Sequence, residues 1–340
     1  MMAAKLPEKL NDHGLWAITS YFNPVGYQRR RANYRIFRER LKVPLLAIEL
    51  EYGPAFELGE GDADILIQLR GRDVLWQKER LLNLALDVLP DSCRYVAWLD
   101  CDIILENDEW PDRARQELSR VPILQPFDYA YRTPQEWRPG EPPPRNTETY
   151  RSGAFMIASG LAPAASVGAD MRESRCANGF AWVARREFVS ATGFFDSCII
   201  GGGDGALARA AYGFFDQGAR FAGMTGPQRK QYIAWAESFY AAVRGEVGFV
   251  EGALYHLWHG DTAHRQWVTR YEALTRWEFD PFSDIALASN GLWRWASDKP
   301  ELHAFVRDHF FSRREDGLQS CSCGKAPVPH NSRSLYGAAC

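Results

Sequence analysis

The feature that most constrains this chain is an apolar segment that ends on two aspartates. The segment from Arg94 to Leu105 runs through Tyr-Val-Ala-Trp-Leu, places Asp100 and Asp102 two residues apart, and continues as Ile-Ile-Leu. Side chains at positions i and i+2 of a strand lie on one face, so both carboxylates are expected together at the end of a buried strand. Such a pair is costly without a cation between the two groups, and a divalent ion with oxygen ligands is the usual partner.

Apolar strand patterns alternate with helical patterns in the first hundred residues. This alternation predicts an α/β fold with a mostly parallel central sheet flanked by helices. Such sheets bind ligands at the carboxyl ends of their strands, which is where Asp100 and Asp102 lie. The expected strands are 15–20, 45–50, 65–69 and 95–100, and the expected helices are 28–41 and 76–89.

The second half of the chain has shorter patterns and no internal repeat. A Pro-rich loop is expected over 138–146. The expected strands are 121–124, 152–159, 179–184 and 249–258, and the expected helices are a short one ending at Gly193, one over 206–212 and one over 228–243.

The composition is that of an ordinary globular protein. Forty basic and 43 acidic side chains give a net charge of −3, which argues against a broad nucleic-acid-binding surface. No stretch approaches about 18 apolar residues, and the N-terminus carries charges where a signal peptide would be apolar. We therefore expect a cytoplasmic protein without a membrane span.

Seven cysteines are present, and four of them are scattered through apolar segments. This pattern favours reduced thiols over a disulfide framework. The remaining three, Cys321, Cys323 and Cys340, lie near His330 in a segment rich in Ser, Pro and Gly. Their spacing matches no common structural zinc site, so we expect residues 311–340 to form a flexible tail. Metal binding by this tail stays an open alternative.

Two further segments carry residues of catalytic type. Three glycines, Gly201 to Gly203, permit close approach of the backbone to a ligand, and Asp204 follows them directly. Asp204 is either the N-cap of the next helix or a functional carboxylate. His256 and His259 follow at an expected strand end, as ligands of one cation or as buried hydrogen-bonding residues.

The order of these segments resembles the GT-A superfamily of nucleotide-sugar-dependent glycosyltransferases, from about residue 15 to residue 271. The sequence WLDCD that ends at Asp102 is similar to the DxD motif after the fourth strand. The sequence REFVSATGFFD from Arg186 is similar to an acceptor-side segment of the superfamily.

Two more matches point to the galactosyltransferase and N-acetylgalactosaminyltransferase C-terminal module branch. The run IGGGD that ends at Asp204 is similar to its WGGED element, with Ile200 and Gly203 in place of Trp and Glu. The sequence WQKERLLN from Trp76 resembles the helix that precedes the DxD strand. The two substitutions predict a remodelled acceptor pocket.

The resemblance implies a metal-dependent enzyme that moves a hexose or N-acetylhexosamine from a nucleoside diphosphate sugar, UDP-sugar favoured, to an acceptor hydroxyl. Mn²⁺ or Mg²⁺ would bridge the donor's phosphates. Asp204 would take the acceptor's proton in a displacement that is expected to invert the anomeric centre. The implied metal ligands are Asp100, Asp102, His256 and His259, with Asp102 as the direct ligand and Asp100 facing the ribose and the metal's second shell.

The same resemblance implies where the donor binds and how the domain is divided. Residues 1–14 would be an extension and 15–310 one domain, with a nucleotide-binding half (15–120), an acceptor-side half (121–280) and a C-terminal helical part (281–310). Glu49 is an alternative to Glu51 at the second strand. The implied donor-binding residues are Thr19, Tyr21, Asn23, Glu51, Lys78, Asp100 and Trp258.

Several other functions stay open at this point. A sugar-phosphate nucleotidyltransferase would need a Gly-rich basic loop after the first strand, which Tyr21 to Gly26 does not provide. A degenerate glycan-binding domain would have no need of the aspartates and histidines. A metal hydrolase built on His256, His259 and Asp261 would leave the DxD strand unexplained. The acceptor is a glycan, a small molecule, a protein or, given the basic run over 29–42, a modified nucleic acid base.

Overall fold

The computed structural model describes residues 14–168, 176–266 and 269–317. Seven strands form its central sheet, and every neighbouring pair is parallel except the two that involve β10. Helices pack on both faces of this sheet. The predicted α/β class with a mostly parallel central sheet is therefore confirmed. In spatial order the sheet contains β11 (Val247–Phe249), β6 (Ile123–Gln125), β10 (Ala181–Arg185), β4 (Tyr95–Leu99), β1 (Leu15–Phe22), β2 (Leu45–Glu51) and β3 (Ile65–Arg70).

Alternating side chains divide the core into two clusters, one on each face of the sheet. Ile18 and Trp98 belong to the cluster that includes α2, whereas Ala17 and Leu99 belong to the cluster that includes α1. These strands are apolar along their whole length because both faces are covered. The helices are α1 (Gln28–Arg40), α2 (Lys78–Val88), α3 (Trp110–Glu117), α4 (Gly153–Ala158), α5 (Arg186–Thr192), α6 (Gly203–Ala211), α7 (Phe215–Phe221), α8 (Gly226–Val243), α9 (Thr269–Leu274) and α10 (Pro300–Ser312).

A second sheet of five strands brings a distant part of the chain to the end of β4. Its β5 begins one residue after Asp102, and β12 pairs with it so that His256 lies opposite Ile103. The backbone N–H of Leu257 donates to the carbonyl of Asp102 at 2.8 Å. In spatial order the sheet contains β5 (Ile103–Leu105), β12 (Ala253–His256), β7 (Tyr129–Arg132), β8 (Glu148–Ser152) and β9 (Cys176–Ala177), and β13 (Ile285–Leu287) pairs separately with β14 (Trp293–Trp295).

Two of the predicted strands differ from the structure. The strand expected over 152–159 is instead helix α4, because Ser152 ends β8 and its hydroxyl accepts a hydrogen bond from the Phe155 N–H at 2.9 Å, as an N-cap does. The single strand expected over 249–258 is two strands in different sheets. Gly252, with φ +146°, lies in the turn between them.

The C-terminal segment is ordered further than the sequence predicts. Helix α10 continues to Ser312, and the residues after it return to the sheet edge, where Arg313 and Glu315 are buried. These two residues form an ion pair, which offsets the cost of burying both charges. The predicted tail therefore does not include residues 311–317. Cys321, Cys323, His330 and Cys340 lie outside the described residues, as does the extension up to residue 13.

Within the described ranges, no helix has both the length and the apolar character needed to cross a lipid bilayer.

Candidate active site

A cleft of about 610 Å³ opens where the carboxyl ends of β1 and β4 meet the end of β12. Its volume is within the range of about 300–1,000 Å³ that is usual for small-molecule sites. Six of the predicted site residues contribute to its lining. They are Lys78, Asp100, Asp102, Asp204, His256 and His259.

Asp102 and the two histidines converge at one end of this cleft. The Nε2 atom of His259 lies 3.1 Å from Asp102 Oδ2 and 3.1 Å from His256 Nε2, and His256 Nε2 lies 3.7 Å from Asp102 Oδ1. In the part of the chain that the structure describes, these three residues form a group whose ligand atoms lie within 4.8 Å of one another. The structure thus brings together three of the four predicted metal ligands.

The protonation states of this group suit a metal ion. Burial, and then the charges of His259 and Arg265, lowers the pKa of His256 well below its usual value, and burial and Arg265 do the same for His259. Both imidazoles are therefore neutral and offer lone pairs. Burial and the neighbouring Asp100 raise the pKa of Asp102 to about 7. Asp102 Oδ1 is buried and has no hydrogen-bond partner among the described residues.

Glu315 lies behind His259, on the side of its Nδ1 atom. Its Oε1 atom lies 3.7 Å from His259 Nδ1, accepts a hydrogen bond from Arg30 at 2.9 Å and forms an ion pair with Arg313 Nε at 2.7 Å. Although burial opposes it, these two arginines hold the pKa of Glu315 well below its usual range. A carboxylate on Nδ1 directs the Nε2 lone pair into the site, as in many metal-binding histidines.

The donor set of one carboxylate and two neutral imidazoles fits a divalent transition-metal ion such as Mn²⁺. Arg265 reaches the same place, because one of its terminal nitrogens is hydrogen-bonded to His259 Nε2. Burial and the nearby Arg313 and Arg132 lower the pKa of Arg265 to about 9, so it is still protonated at neutral pH and donates this bond. A metal ion and Arg265 therefore compete for one lone pair.

Lys78 connects the other two carboxylates of the cleft. Its Nζ atom lies 2.5 Å from Asp100 Oδ1 and 2.7 Å from Asp204 Oδ2. Burial alone would lower the pKa of Lys78, but Asp100 and Asp204 raise it well above the usual value. Asp100 is thus tied to Lys78 and lies outside the group formed by Asp102 and the histidines.

Asp204 lies at the start of α6, on the far side of Lys78. Burial raises the pKa of Asp204, Lys78 opposes this shift, and Asp100 adds to it. The side chain stays 29% exposed to the cleft. A carboxylate that is accessible and has a raised pKa is suited to accept a proton near neutral pH.

The absence of a side chain at Gly203 makes room for a buried carboxyl group from α2. A Cβ atom at Gly203 would lie only 2.1 Å from Glu79 Oε1. Burial raises the pKa of Glu79 to about 8, Lys78 opposes the shift, and Asp204 adds to it. Glu79 was not among the predicted site residues.

Five of the predicted donor-binding residues lie outside the cleft lining, and their side chains have other partners. Thr19 donates to the Leu99 carbonyl at 2.7 Å, and Tyr21 donates to Glu57. Ser20 and Phe22 line the cleft instead, because alternate side chains of β1 point to opposite faces. The remaining contacts join Asn23 to Glu57 and Tyr27, Glu51 to the N–H groups of Tyr52 and Gly53, and Trp258 to Arg29. The alternative Glu49 is also engaged, by the Glu57 N–H at 2.6 Å and by Gln68 at 2.8 Å.

The largest set of lining residues that the sequence analysis missed is basic. Seven arginines and Lys78 line the cleft, against three aspartates and one glutamate. Of these arginines, only Arg30 belongs to the basic run over 29–42 that the sequence singles out. The surplus of positive charge gives the cleft an affinity for anions. The seven are Arg30, Arg132, Arg209, Arg220, Arg265, Arg270 and Arg313.

No protein-family model matches the chain, and no curated protein matches it. Among solved structures it is similar to TarS 1–349 of S. aureus, at 9% identity over 79% of this chain and 73% of that chain, with a TM-score of 0.38. It is also similar to the catalytic domain of Drosophila β1,4-galactosyltransferase 7 in complex with xylobiose, at 12% identity over 86% of this chain and 98% of that chain, with a TM-score of 0.36. A third similar structure is that of the mannosyltransferase PcManGT of Pyrobaculum calidifontis in complex with GDP-Man and Mn²⁺, at 11% identity over 88% of this chain and 73% of that chain, with a TM-score of 0.40. These similarities assign no role to any residue of the cleft.

Proposed function

We propose that this chain is a metal-dependent glycosyltransferase of GT-A type that uses a nucleoside diphosphate sugar, with UDP-sugars favoured as donors. One observation carries the proposal. Asp102, His256 and His259 converge on a common point, and the same cleft contains a second carboxylate system, Asp100–Lys78–Asp204. A site for a cation beside a separate proton acceptor is what glycosyl transfer from a diphosphate donor requires.

The metal end of the cleft is suited to the leaving group. Asp102, His256 and His259 would hold Mn²⁺ or Mg²⁺, which when bound neutralises charge on the departing diphosphate. Arg30, Arg265 and Arg313 surround the same end, and their charges act on Asp102 or on His259. Guanidinium groups bind phosphate oxygens in bidentate geometry, so these side chains would hold the donor's phosphates before and after bond cleavage.

Asp204 is suited to act as the general base. In an inverting displacement, a single carboxylate takes the proton of the acceptor hydroxyl while that oxygen attacks the anomeric carbon. Lys78 holds Asp204 in place and opposes the rise in the pKa of Asp204 that burial causes. Asp100 holds Lys78 on its other side. In this arrangement Asp100 positions Lys78 and faces the donor, while Asp102 alone of the pair binds the metal.

The decisive test is a donor-hydrolysis screen of UDP- and GDP-sugars with Mn²⁺, repeated with EDTA. We expect slow release of nucleoside diphosphate that requires the metal and is lost in Asp102→Asn. Asp108→Asn is the matched control, because that carboxylate is 72% exposed and pairs only with Lys42 at 3.7 Å. If no donor binds or turns over in the wild-type protein, the proposal is wrong.

A second variant separates the base from the metal site. Asp204→Asn keeps the shape of the side chain and can still accept a hydrogen bond from Lys78, but it cannot take a proton at neutral pH. We expect this variant to bind Mn²⁺ and UDP as the wild type does and to lose transfer. Unchanged transfer would place the base elsewhere in the cleft.

A further inference from the structure

Two cleft arginines are not among those that act on the metal-end histidines and Asp102, and no described carboxylate forms an ion pair with them. Arg270, in α9, is 8% exposed, and Arg220, in α7, is exposed at the cleft's rim. Neither forms a salt bridge with any described carboxylate, although Asp100 and Asp204 share a lysine in the same cleft. The Nε atom of Arg270 is buried without a hydrogen-bond partner among the described residues. A buried cation in this state is costly unless an anion joins it.

The contacts of Arg270 are all to neutral groups. Its guanidinium donates to the Arg265 carbonyl at 3.3 Å and to the Tyr271 hydroxyl at 2.5 Å, and it lies 3.2 Å from His309 Nε2. Burial, together with the positive charges of Arg270 and Arg313, lowers the pKa of His309 to about 2. His309 therefore accepts from Arg270 as a neutral base and does not balance its charge.

Arg270 and Tyr271 pack directly on the glycine turn that leads to Asp204. A Cβ atom at Gly201 would lie 3.4 Å from Arg270 Nη2, and one at Gly202 would lie 2.8 Å from the Tyr271 hydroxyl. Both glycines have positive φ, +87° and +105°, which other residues rarely adopt. The turn thus brings a buried guanidinium close to the start of the helix that carries the proposed base.

Arg220 belongs to the same wall of the cleft. Phe221, its neighbour in α7, contacts the ring of Tyr271 at a centroid distance of 5.4 Å. By contrast, the arginines that most affect the pKa values of Asp102, His256 and His259 are Arg30, Arg132, Arg265 and Arg313. These four form one set around the metal ligands, whereas Arg270 packs on the glycine turn before Asp204.

We propose that Arg220 and Arg270 bind an anionic group of the acceptor, a phosphate or a carboxylate, and so select an acidic acceptor for transfer at Asp204. This inference rests on the proposed function and narrows its acceptor to hydroxyl compounds that carry such a group. The anion would complete the hydrogen bonding of Arg270 and pair with its charge, which Glu272 of the same helix does not do in the described ion pairs although it lines the cleft. The diphosphate of the donor is served by the other set of arginines.

The test measures binding of inorganic phosphate to the metal-free protein in EDTA by calorimetry. Arg220→Gln and Arg270→Gln should each weaken phosphate binding by about tenfold or more, the loss of one charged hydrogen bond. Arg276→Gln, an exposed arginine outside the cleft lining, should leave the affinity unchanged. Because Arg270 is buried and its variant can fail to fold, Arg220→Gln on the rim is the deciding variant.

Two further titrations identify the source of the anion and separate the two proposals. Glucose 6-phosphate and glucuronate are compared with glucose, and the charged sugar that binds in a manner sensitive to Arg220→Gln identifies the group. UDP with Mn²⁺ should bind to wild type and Arg220→Gln equally. Phosphate and acidic-sugar binding that Arg220→Gln leaves unchanged, with UDP still bound, overturns the acceptor inference alone. Failure of UDP to bind the wild type overturns the proposed function and this inference with it.

Discussion

Lys78 holds two carboxylates that would otherwise face each other across the cleft, so its removal should destabilise the protein. In Lys78→Met the side chain stays unbranched, is one atom shorter and keeps a similar helix propensity, and the ammonium group with its charge and hydrogen bonds is lost. Asp100 and Asp204 then lose their shared partner, at 2.5 and 2.7 Å in the wild type. The perturbation is therefore mainly electrostatic.

The magnitude follows from the exposure of the three groups. Removing one partner of a fully buried ion pair costs about 3–5 kcal/mol, whereas an exposed pair contributes about 1 kcal/mol or less. The Lys78 side chain is 10% exposed, and those of Asp100 and Asp204 are 27% and 29% exposed. Because water reaches both carboxylates but hardly reaches the ammonium group, we expect a loss of about 2–3 kcal/mol in the free energy of unfolding.

Denaturant unfolding at pH 7 measures this loss, with Lys42→Met as the matched control. Lys42 is 51% exposed and lies 3.7 Å from an aspartate that is 72% exposed, so its removal should cost less than about 0.5 kcal/mol. At pH 4 the effect of Lys78→Met should be smaller, since burial raises the pKa of Asp204 and its carboxyl group carries less negative charge there than at pH 7. Equal stability of the two variants at pH 7 would refute the role given to Lys78.

The remaining predictions concern two buried carboxyl groups. Glu79 has its pKa raised by burial to about 8, against about 4.3 in an unfolded chain, so the folded state holds the proton more tightly. The tighter binding of this proton stabilises the folded state fully below about pH 4, and the stabilisation falls by up to about 5 kcal/mol as the pH rises to 8. Unfolding experiments from pH 5 to 8 should therefore show a weaker pH dependence in Glu79→Gln, and identical slopes would contradict the assignment. For Glu315→Gln we expect Mn²⁺ affinity to fall about 10–100-fold, measured by electron paramagnetic resonance titration, because His259 loses the carboxylate behind it. Asp316→Asn, whose carboxylate accepts from the N–H groups of Gln28 and Arg29 instead, should bind Mn²⁺ normally, and equal affinities in the two variants would count against the orientation of His259 by Glu315.

The sequence predicted the parts of this fold that depend on local pattern. The alternation of strands and helices located the first four strands within about two residues, because each strand is a short apolar run closed by a turn or a proline. The position of Asp100 and Asp102 at the end of β4 followed from the same pattern. Their separation into a lysine-bound and a histidine-bound carboxylate did not, since it depends on α2 and β12, which reach the strand from distant parts of the chain.

Other features have no local signal. Strand β1 is buried on both faces, so its composition does not tell which alternate side chains face the cleft, and the prediction selected Thr19 and Tyr21 over Ser20 and Phe22. Arg220 and Arg270 are each the one basic residue of a short helix, a pattern typical of solvated surfaces. Glu315 follows the last helix in a polar segment that resembles a tail, and only its partners Arg30 and Arg313 make it part of the site.

The central claim is that Asp102, His256 and His259 bind one divalent metal ion beside the nucleotide. Anomalous diffraction at the manganese edge, from crystals grown with Mn²⁺ and UDP, tests it most directly. We predict one strong peak within bonding distance of the Asp102 carboxylate and of both Nε2 atoms, with Arg265 moved off His259. A peak bound by Asp100 instead, or no peak in this cleft while UDP is present, would contradict it.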